Sequence, residues 1–141
     1  MKTFLYGLAF AAVSHATFAN AEKLTGYIIE NDADIARQQP GPHKGGGETT
    51  AFPFFAGASD MELVFRKRIL HPGAAIGYHE QHKDEIYYVI SGTGELTMNG
   101  EKSEVGPGTA ILTRPGSSHG LRQVGSEDLV IFIVYGKDRK Q

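Results

Sequence analysis

The chain of 141 residues contains no cysteine. That absence excludes disulfide bonds, thiol catalysis and thiolate metal sites, so any metal ion must be held by nitrogen and oxygen atoms. A hydrophobic core must therefore hold the fold together without covalent cross-links. A chain of this length can bury such a core, and we predict one domain.

A strong charge of one sign is also absent. The 14 Lys and Arg residues stand against 16 Asp and Glu residues, which gives a formal net charge of −2 at pH 7. A balance this mild and this mixed does not indicate a nucleic-acid partner. The sequence also shows no internal repeat, no heptad pattern and no linker between domains.

Long hydrophobic runs are rare. Thr3–Val13 is apolar but too short to cross a bilayer, and it lies between a basic start at Lys2 and the small-residue pattern Ala19–Ala21. We interpret residues 1–21 as a secretory signal peptide cleaved after Ala21; a buried N-terminal helix would suit the length but not this order. The mature protein is therefore predicted to be periplasmic or secreted, with no membrane span.

The remaining chain alternates short apolar runs with turn signals. The 18 glycines and six prolines separate segments rich in Val, Ile, Phe and Tyr, and Asn99-Gly100 is the strongest hairpin signal. Only Asp32–Gln39 has helical character. Regularly spaced short strands indicate an all-β sandwich or barrel. The predicted strands are Glu62–Leu70, Glu85–Ile90, Glu95–Met98, Thr109–Thr113 and Asp128–Tyr135.

Two histidines, a glutamine and a glutamate are crowded between positions 79 and 85. Alternate residues of a strand share a face, so His79, Gln81 and Glu85 have the same parity. A straight strand would hold His79 and Glu85 about 20 Å apart, whereas ligands of one metal ion lie about 2 Å from it. The chain must therefore reverse through residues 82–84. We expect a hairpin that brings the three side chains face to face across neighbouring strands.

A third element is needed to complete such a site, and Pro115–His119 offers it. A Pro-Gly turn here would direct His119 inward at the start of another strand. His119 would then meet His79 and Glu85 in the interior.

These residues resemble the two motifs of the cupin superfamily, in particular its small single-domain members of bacterial type. The first motif is matched in GAAIGYHEQHKDEIYYVISG by Gly73, His79, Glu85 and Gly92. The second is matched in GTAILTRPGSSHG by Gly108, Pro115, Gly116 and His119. This sequence has Gln123 where the second motif ends in asparagine. The resemblance covers residues from about 62 to 135 and implies a cupin-type double-stranded β-helix, a jelly-roll barrel.

The resemblance also implies a divalent metal ion, with iron, manganese, nickel and zinc as candidates. Its ligands would be His79, Glu85 and His119. The family's second histidine position is occupied by Gln81, whose carbonyl oxygen is a weaker, neutral ligand and would be an optional fourth. His82 has the opposite strand parity, but a local bulge would turn it inward, so it stays an alternative to Gln81.

For function, the resemblance implies a metal-dependent protein whose partner is a small-molecule substrate or ligand. Oxygenation, decarboxylation, isomerisation and lyase chemistry all occur on the similar fold, so the reaction type stays open. A non-catalytic cupin that binds a small ligand or a metal is the alternative. A third reading is a structural cupin that dimerises through its outer sheet without turnover; a homodimer is an expectation from the resemblance alone.

The segment before the barrel has its own features. Pro42–Phe55 is interpreted as an arm that covers a sheet edge or closes over the cavity as a lid, with His43 or Glu48 near the mouth. We divide the chain after the signal into an N-terminal arm with an edge strand (22–60), the β-barrel (61–136) and a C-terminal tail (137–141).

Four more side chains are candidates for the pocket. Tyr87 has the strand parity of the glutamate and could line the pocket, whereas Tyr88 should face the opposite side. Arg68 and Arg114 could hold a substrate carboxylate, since arginine suits bidentate anion binding.

Overall fold

The computed structural model describes residues 26–137, so the predicted signal peptide and most of the predicted tail lie outside the described residues. Within this range the chain is almost entirely strand. None of its helices is long and apolar enough to cross a membrane. The elements are α1 (Asp32–Ile35), β1 (Arg37–Pro40), β2 (Glu48–Phe52), β3 (Leu63–Leu70), β4 (Ala75–Glu80), β5 (Glu85–Ser91), β6 (Thr93–Met98), β7 (Glu101–Val105), β8 (Ala110–Thr113), β9 (Ser118–Val124) and β10 (Leu129–Gly136).

The strands form two antiparallel sheets. One sheet has six strands in the order β1-β2-β3-β10-β5-β8, and the other has four in the order β4-β9-β6-β7. Strands that are distant in sequence are neighbours in space, as in the pairs of β3 with β10 and β4 with β9. This is the jelly-roll arrangement, and the predicted all-β fold class is confirmed.

The core lies between the facing sides of the two sheets. In β5 the residues alternate between buried and exposed, so that Tyr87 and Val89 point inward. In β10 the inward residues are Leu129, Ile131 and Ile133. Burying each such side chain contributes about 1.5–3 kcal/mol, and the apolar period of two therefore fixes which side of each strand faces the core.

The five predicted strands are present, with boundaries that differ by at most two residues. Asn99 and Gly100 both have positive φ, 49° and 87°, as a two-residue hairpin loop requires, and they join β6 to β7. No prediction marked β7, because its polar residues EKSEV give no apolar signal and four of the five are exposed. The predicted helical segment Asp32–Gln39 is only one helical turn before β1 begins.

The expected hairpin through residues 82–84 is wrong in one respect. The chain does reverse there, but β4 pairs with β9, whereas β5 pairs with β10 and β8. Residues 82–84 therefore connect the two sheets instead of closing a hairpin. The side chains of β4 and β5 meet across the interior, where facing sheets are about 10 Å apart.

The N-terminal segment extends the larger sheet. Strands β1 and β2 form a hairpin, and β2 pairs with β3 through partners such as Ala51 and Arg68. The hairpin thus covers the edge that β3 would otherwise expose. Its connecting loop, residues 41–47, passes along β4 in the other sheet: the amides of Ala75 and Gly77 donate to the carbonyl oxygens of Gly46 and Pro42 at 3.1 and 2.9 Å.

Candidate metal centre

Three ionisable side chains converge where the two sheets face each other. His79 in β4 and His119 in β9 are cross-strand partners. Glu85 enters from β5 in the opposite sheet, and its Oε2 lies 3.0 Å from Nε2 of His119. The possible ligand atoms of the three residues all lie within 4.8 Å of one another.

The local backbone explains why these side chains meet. A shift of register in the β4–β9 pair between Ile76 and His79 marks a bulge, which re-aims the side chains that follow it. The end of β4 is then tied to the Pro-Gly turn that precedes His119: the Gln81 amide donates to the Ser117 carbonyl at 2.8 Å, and the Gly116 amide donates to the Gln81 carbonyl at 2.9 Å. The two histidine motifs are therefore held together by backbone.

Hydrogen bonds behind the rings orient both histidines. Nδ1 of His79 donates to the carbonyl oxygen of Gly77 at 2.7 Å. A carbonyl oxygen only accepts, so the neutral ring has its lone pair on Nε2, which faces the cluster. Nδ1 of His119 lies 2.8 Å from the hydroxyl of Thr113, which is able to accept the equivalent bond. Each imidazole thus has an outer partner of the kind that orients metal-binding histidines.

Gln81 lies at the middle of the cluster. Its side-chain nitrogen is 2.6 Å from Glu85 Oε2, 3.0 Å from His79 Nε2 and 3.2 Å from His119 Nε2. An amide nitrogen carries two protons, so it cannot donate to three acceptors at once. A half-turn of the amide would place its carbonyl oxygen there instead, and oxygen is the atom of this group that binds cations.

His82 does not join the cluster. Its side chain is 82% exposed and lies 3.8 Å from the carboxylate of Glu80. The strand parity that favoured Gln81 therefore gives the right direction for both side chains.

The donor set fits a divalent ion. Ligand atoms about 2.0–2.2 Å from one ion are about 3–4 Å from each other, and the 3.0 Å separation of His119 Nε2 and Glu85 Oε2 lies in that range. His119 and Glu85 are buried, and His79 is partly buried. Two neutral imidazoles and one carboxylate in a protected position form a group of acceptors that a cation would complement.

His79, Gln81 and Glu85 form one wall of a cavity of about 340 Å³, and His119 is fully buried next to Glu85. The Tyr87 ring lines the cavity and stacks 4.9 Å from the ring of His119, whereas Tyr88 faces outward, as the parity argument predicts. Burial, reinforced by the neighbouring Glu85 carboxylate, raises the pKa of Tyr87 well above its ordinary value. Its phenol is therefore protonated at neutral pH and donates to the Glu85 carboxylate.

The loop of residues 41–47 places His43 against the site. The His43 ring stacks on His79 with centroids 3.4 Å apart and an angle of 5° between the planes. His43 and Lys44 have positive φ, 52° and 60°, so the loop holds two non-glycine residues in the left-handed region. Partial burial at the cavity wall and the neighbouring His79 lower the pKa of His43. Glu48, the other predicted mouth residue, is exposed in β2.

The arginines divide differently from the prediction. Arg68 is buried and lines the cavity, but Arg114 is 69% exposed and pairs with Asp84 at 2.9 Å, so it does not reach the site. Arg66 also lines the cavity and was missed. The signal that could have found it is parity, since Arg66, Arg68 and the core residue Leu70 are two apart in one strand.

Gln123 has a structural role. Its carbonyl oxygen accepts from the Gly73 amide at 2.8 Å, and its nitrogen lies 2.7 Å from the Glu127 carbonyl. It links the turn that opens the first motif to the turn that follows β9, so the amide that replaces asparagine is fully used.

Comparison with known proteins agrees with this geometry. Residues 67–135 match the model of the cupin domain family. The oxalate-binding protein of Thermotoga maritima is 32% identical over 72 residues, which cover 50% of this chain and 60% of that protein. The 5-nitrosalicylic acid 1,2-dioxygenase of Bradyrhizobium sp. is 26% identical over 68 residues, covering 48% and 33%. This chain thus spans less than two thirds of the length of either relative.

Solved structures show the same fold. The crystal structure of a predicted oxalate decarboxylase from Thermotoga maritima superposes with a TM-score of 0.71 at 25% identity, over 77% of this chain and 98% of that one. The polyketide cyclase RemF from Streptomyces resistomycificus gives a TM-score of 0.70 at 22% identity, over 82% and 83%; at this identity the likeness concerns the fold alone. Residues 67–135 of this chain are therefore similar to cupin domains in both sequence and fold.

Proposed function

We propose that this protein is a metal-binding cupin that holds a divalent ion through His79, Glu85 and His119 and acts on a small organic molecule beside it. The observation that supports this best is the convergence of three oriented acceptor side chains from two sheets at one edge of a cavity. A bound ion would offer open coordination positions at which a substrate or dioxygen is polarised. Iron, manganese, nickel and zinc all suit two imidazoles and a carboxylate.

Gln81 is proposed as the fourth ligand, through its carbonyl oxygen. Its side chain already contacts all three other residues, and the backbone bonds to the turn at Gly116 and Ser117 fix its position. As a neutral oxygen ligand it would hold the ion less strongly than the imidazole that cupins carry at this place.

Metal analysis tests the proposal directly. Protein purified without chelators should carry about one divalent ion per chain, measured by inductively coupled plasma mass spectrometry, and added ion should raise the melting temperature because it binds only the folded state. His79→Ala and His119→Ala should lose the ion, whereas the matched control His82→Ala should keep it. Equal and near-zero metal in all four proteins would contradict the proposal.

Binding without turnover is the second candidate function. It is favoured by the position of Gln81, whose amide fills the middle of the ligand cluster and leaves less room for a reacting group. Two of the relatives are named for organic acids, oxalate and 5-nitrosalicylic acid, but one name denotes binding and the other oxidation. Assays of dioxygen consumption and carbon dioxide release with small carboxylates and phenols distinguish the two candidates.

Export of the protein is a further proposal, which depends on the sequence of residues 1–21. Expression of the full chain in a Gram-negative host should give a periplasmic product. Its intact mass should correspond to a chain that begins at Glu22. A cytoplasmic product that retains Met1 would contradict export.

We also propose a homodimer through the outer face of the larger sheet. Ile86, Tyr88 and Leu112 are exposed on that face, and Ile86 and Leu112 are cross-strand partners in β5 and β8. An apolar face of this kind suits contact with its own copy across a two-fold axis. Light scattering should give the mass of a dimer, and Tyr88→Lys should give a monomer; a monomeric wild type would remove this part of the proposal.

A further inference from the structure

Two arginines lie on the inner face of β3, beside the metal centre. Arg66 is the partner of Ile133 and Arg68 the partner of Ile131, and both isoleucines face the core. Residues two apart in a strand point the same way, about 7 Å from each other. Both guanidinium groups therefore face the cavity that the cluster of His79 also lines.

Arg68 is aimed by the N-terminal hairpin. The side chain is 3% exposed, and its two terminal nitrogens donate to Thr49 Oγ1 at 2.6 Å and to Gln39 Oε1 at 3.3 Å. Thr49 in turn donates to the Gln39 carbonyl at 3.0 Å, which fixes the acceptor. The remaining nitrogen, Nε, is buried and has no partner among the described residues.

Arg66 is held by Tyr135. Its Nη2 donates to the tyrosine hydroxyl at 2.7 Å, and the guanidinium lies 5.4 Å from the centre of the same ring. Its Nε is likewise buried, with no partner in the described part of the chain. Neutral oxygens and a ring orient both arginines, so their hydrogen bonds leave the positive charge uncompensated.

No carboxylate in the described part of the chain balances these charges. Among residues 26–137, no Asp or Glu oxygen lies within the 4.0 Å of an ion pair from either guanidinium. Glu85, the buried acid of the same cavity, already accepts from Gln81, and its Oε2 lies 3.0 Å from His119 Nε2. Burial and the nearby Arg66 lower the pKa of Arg68, yet a guanidinium stays protonated at neutral pH. A buried charge without a counter-charge is costly, which is why such groups are normally paired.

We propose that Arg66 and Arg68 form a carboxylate-binding subsite, and that the substrate or ligand of this protein is a small organic acid. A planar guanidinium fork suits a carboxylate, and the hydrogen bonds of Arg66 and Arg68 leave several of their N–H donors unused. The acid's other end faces the His79–Glu85–His119 cluster across the 340 Å³ cavity. The inference deepens the proposed function by naming its substrate class, but the subsite itself depends on the arginines and not on the ion.

Calorimetric titration tests the subsite. The protein is titrated with benzoate, oxalate and succinate, and with their neutral counterparts benzamide, oxamide and succinamide, both as purified and after dialysis against a chelator. At least one acid should bind in both forms, and its amide should not. Arg68→Met should weaken the binding of that acid by about tenfold to a hundredfold, the range for a lost charge-assisted contact. Arg68→Lys keeps the charge but loses the planar guanidinium, so its affinity for the acid should lie between those of wild type and Arg68→Met. The control Arg114→Met should bind the acid within about twofold of wild type.

Thermal unfolding supplies a second readout. A purely structural Arg68 would make Arg68→Met less stable, whereas a binding residue with an uncompensated charge leaves the unliganded melting temperature unchanged or raises it. Acid binding that survives Arg68→Met unchanged overturns the subsite, as does binding of inorganic phosphate with no binding of any acid. An acid that binds only with metal present, and equally to Arg68→Met, also overturns the subsite while the metal proposal stands. The reverse result, acid binding that needs Arg68 in a protein that carries no metal as purified and takes up none when it is added, keeps the subsite and refutes the metal site.

Discussion

The two ends of the cavity contrast in their hydrogen-bonding chemistry. At one end His79, Glu85 and His119 direct acceptor atoms at a common point, and a single amide of Gln81 has too few protons for them. At the other end the arginines present donors that neutral groups only partly use. An excess of acceptors calls for a cation and an excess of donors for an anion, so the comparison indicates a cavity suited to a metal ion and an acid together.

The largest expected effect comes from removing the charge of the acceptor end. Glu85→Gln keeps the shape but replaces the only carboxylate of the cluster, and should weaken metal binding by more than about a hundredfold, the upper limit for loss of an outer partner. Competition with a fluorescent chelator measures the affinity. Glu95→Gln, at a partly exposed acid paired with Lys102, is the control and should match wild type. Equal affinities for the two variants would remove Glu85 from the ligand set.

The outer hydrogen bond of His119 should have the next largest effect. Thr113→Val is nearly isosteric at a buried position and removes the hydroxyl that lies 2.8 Å from Nδ1. Loss of such a partner lowers metal affinity by about 10- to 100-fold. The same chelator competition detects it, with Thr109→Val in the loop before β8 as the control. An unchanged affinity would show that the barrel alone orients the ring.

Substitution of the glycine next to the loop of residues 41–47 tests whether the β1–β2 hairpin supports both the histidine–glutamate cluster and the two arginines. A Cβ on Gly77 would lie 2.0 Å from the His43 carbonyl oxygen, so Gly77→Ala must displace the loop. We expect a loss of about 1–3 kcal/mol in the free energy of unfolding, measured in urea, with weaker binding of both metal and acid. Gly106→Ala, where a Cβ meets no atom within 4 Å, should be close to neutral. If the two variants were equally stable, the loop would be packed loosely.

The smallest effect is a gain. Gln81→His restores an imidazole where the amide now has too few protons, and should raise metal affinity by roughly tenfold, whereas Gln81→Met should lower it. Changes in metal affinity of opposite sign for these two variants would distinguish a metal ligand at position 81 from a side chain that only fills space. Two changes of the same sign would show that Gln81 acts only through packing.

The sequence contained most of the strand pattern and the members of the cluster. The alternation of inward and outward side chains along a strand correctly separated Tyr87 from Tyr88 and Gln81 from His82. It is reliable here because a shift by one residue would turn the buried face of the strand to solvent. The predicted pairing of β4 with β5 was wrong, because a reversal of the chain does not determine whether the next strand joins the same sheet.

The residues beyond the cluster were harder to find. Arg66 and Arg68 look like solvated charges in RKR, and only their parity with Leu70 places them inside. The stacking of His43 on His79 depends on a loop next to β4 in which two residues have left-handed backbone conformations, and no local sequence pattern predicts these conformations. Contacts between segments far apart in the chain determine both features.

The β1–β2 hairpin lies outside the stretch that matches the family, residues 67–135, yet it supplies the two oxygens that aim Arg68 and the ring that covers His79. A recombinant fragment trimmed to the recognisable motifs would therefore keep the proposed metal ligands and lose the contacts that orient Arg68 in the proposed carboxylate subsite. Conversely, exchanging residues 37–52 alone offers a way to re-engineer selectivity with both histidine motifs left intact.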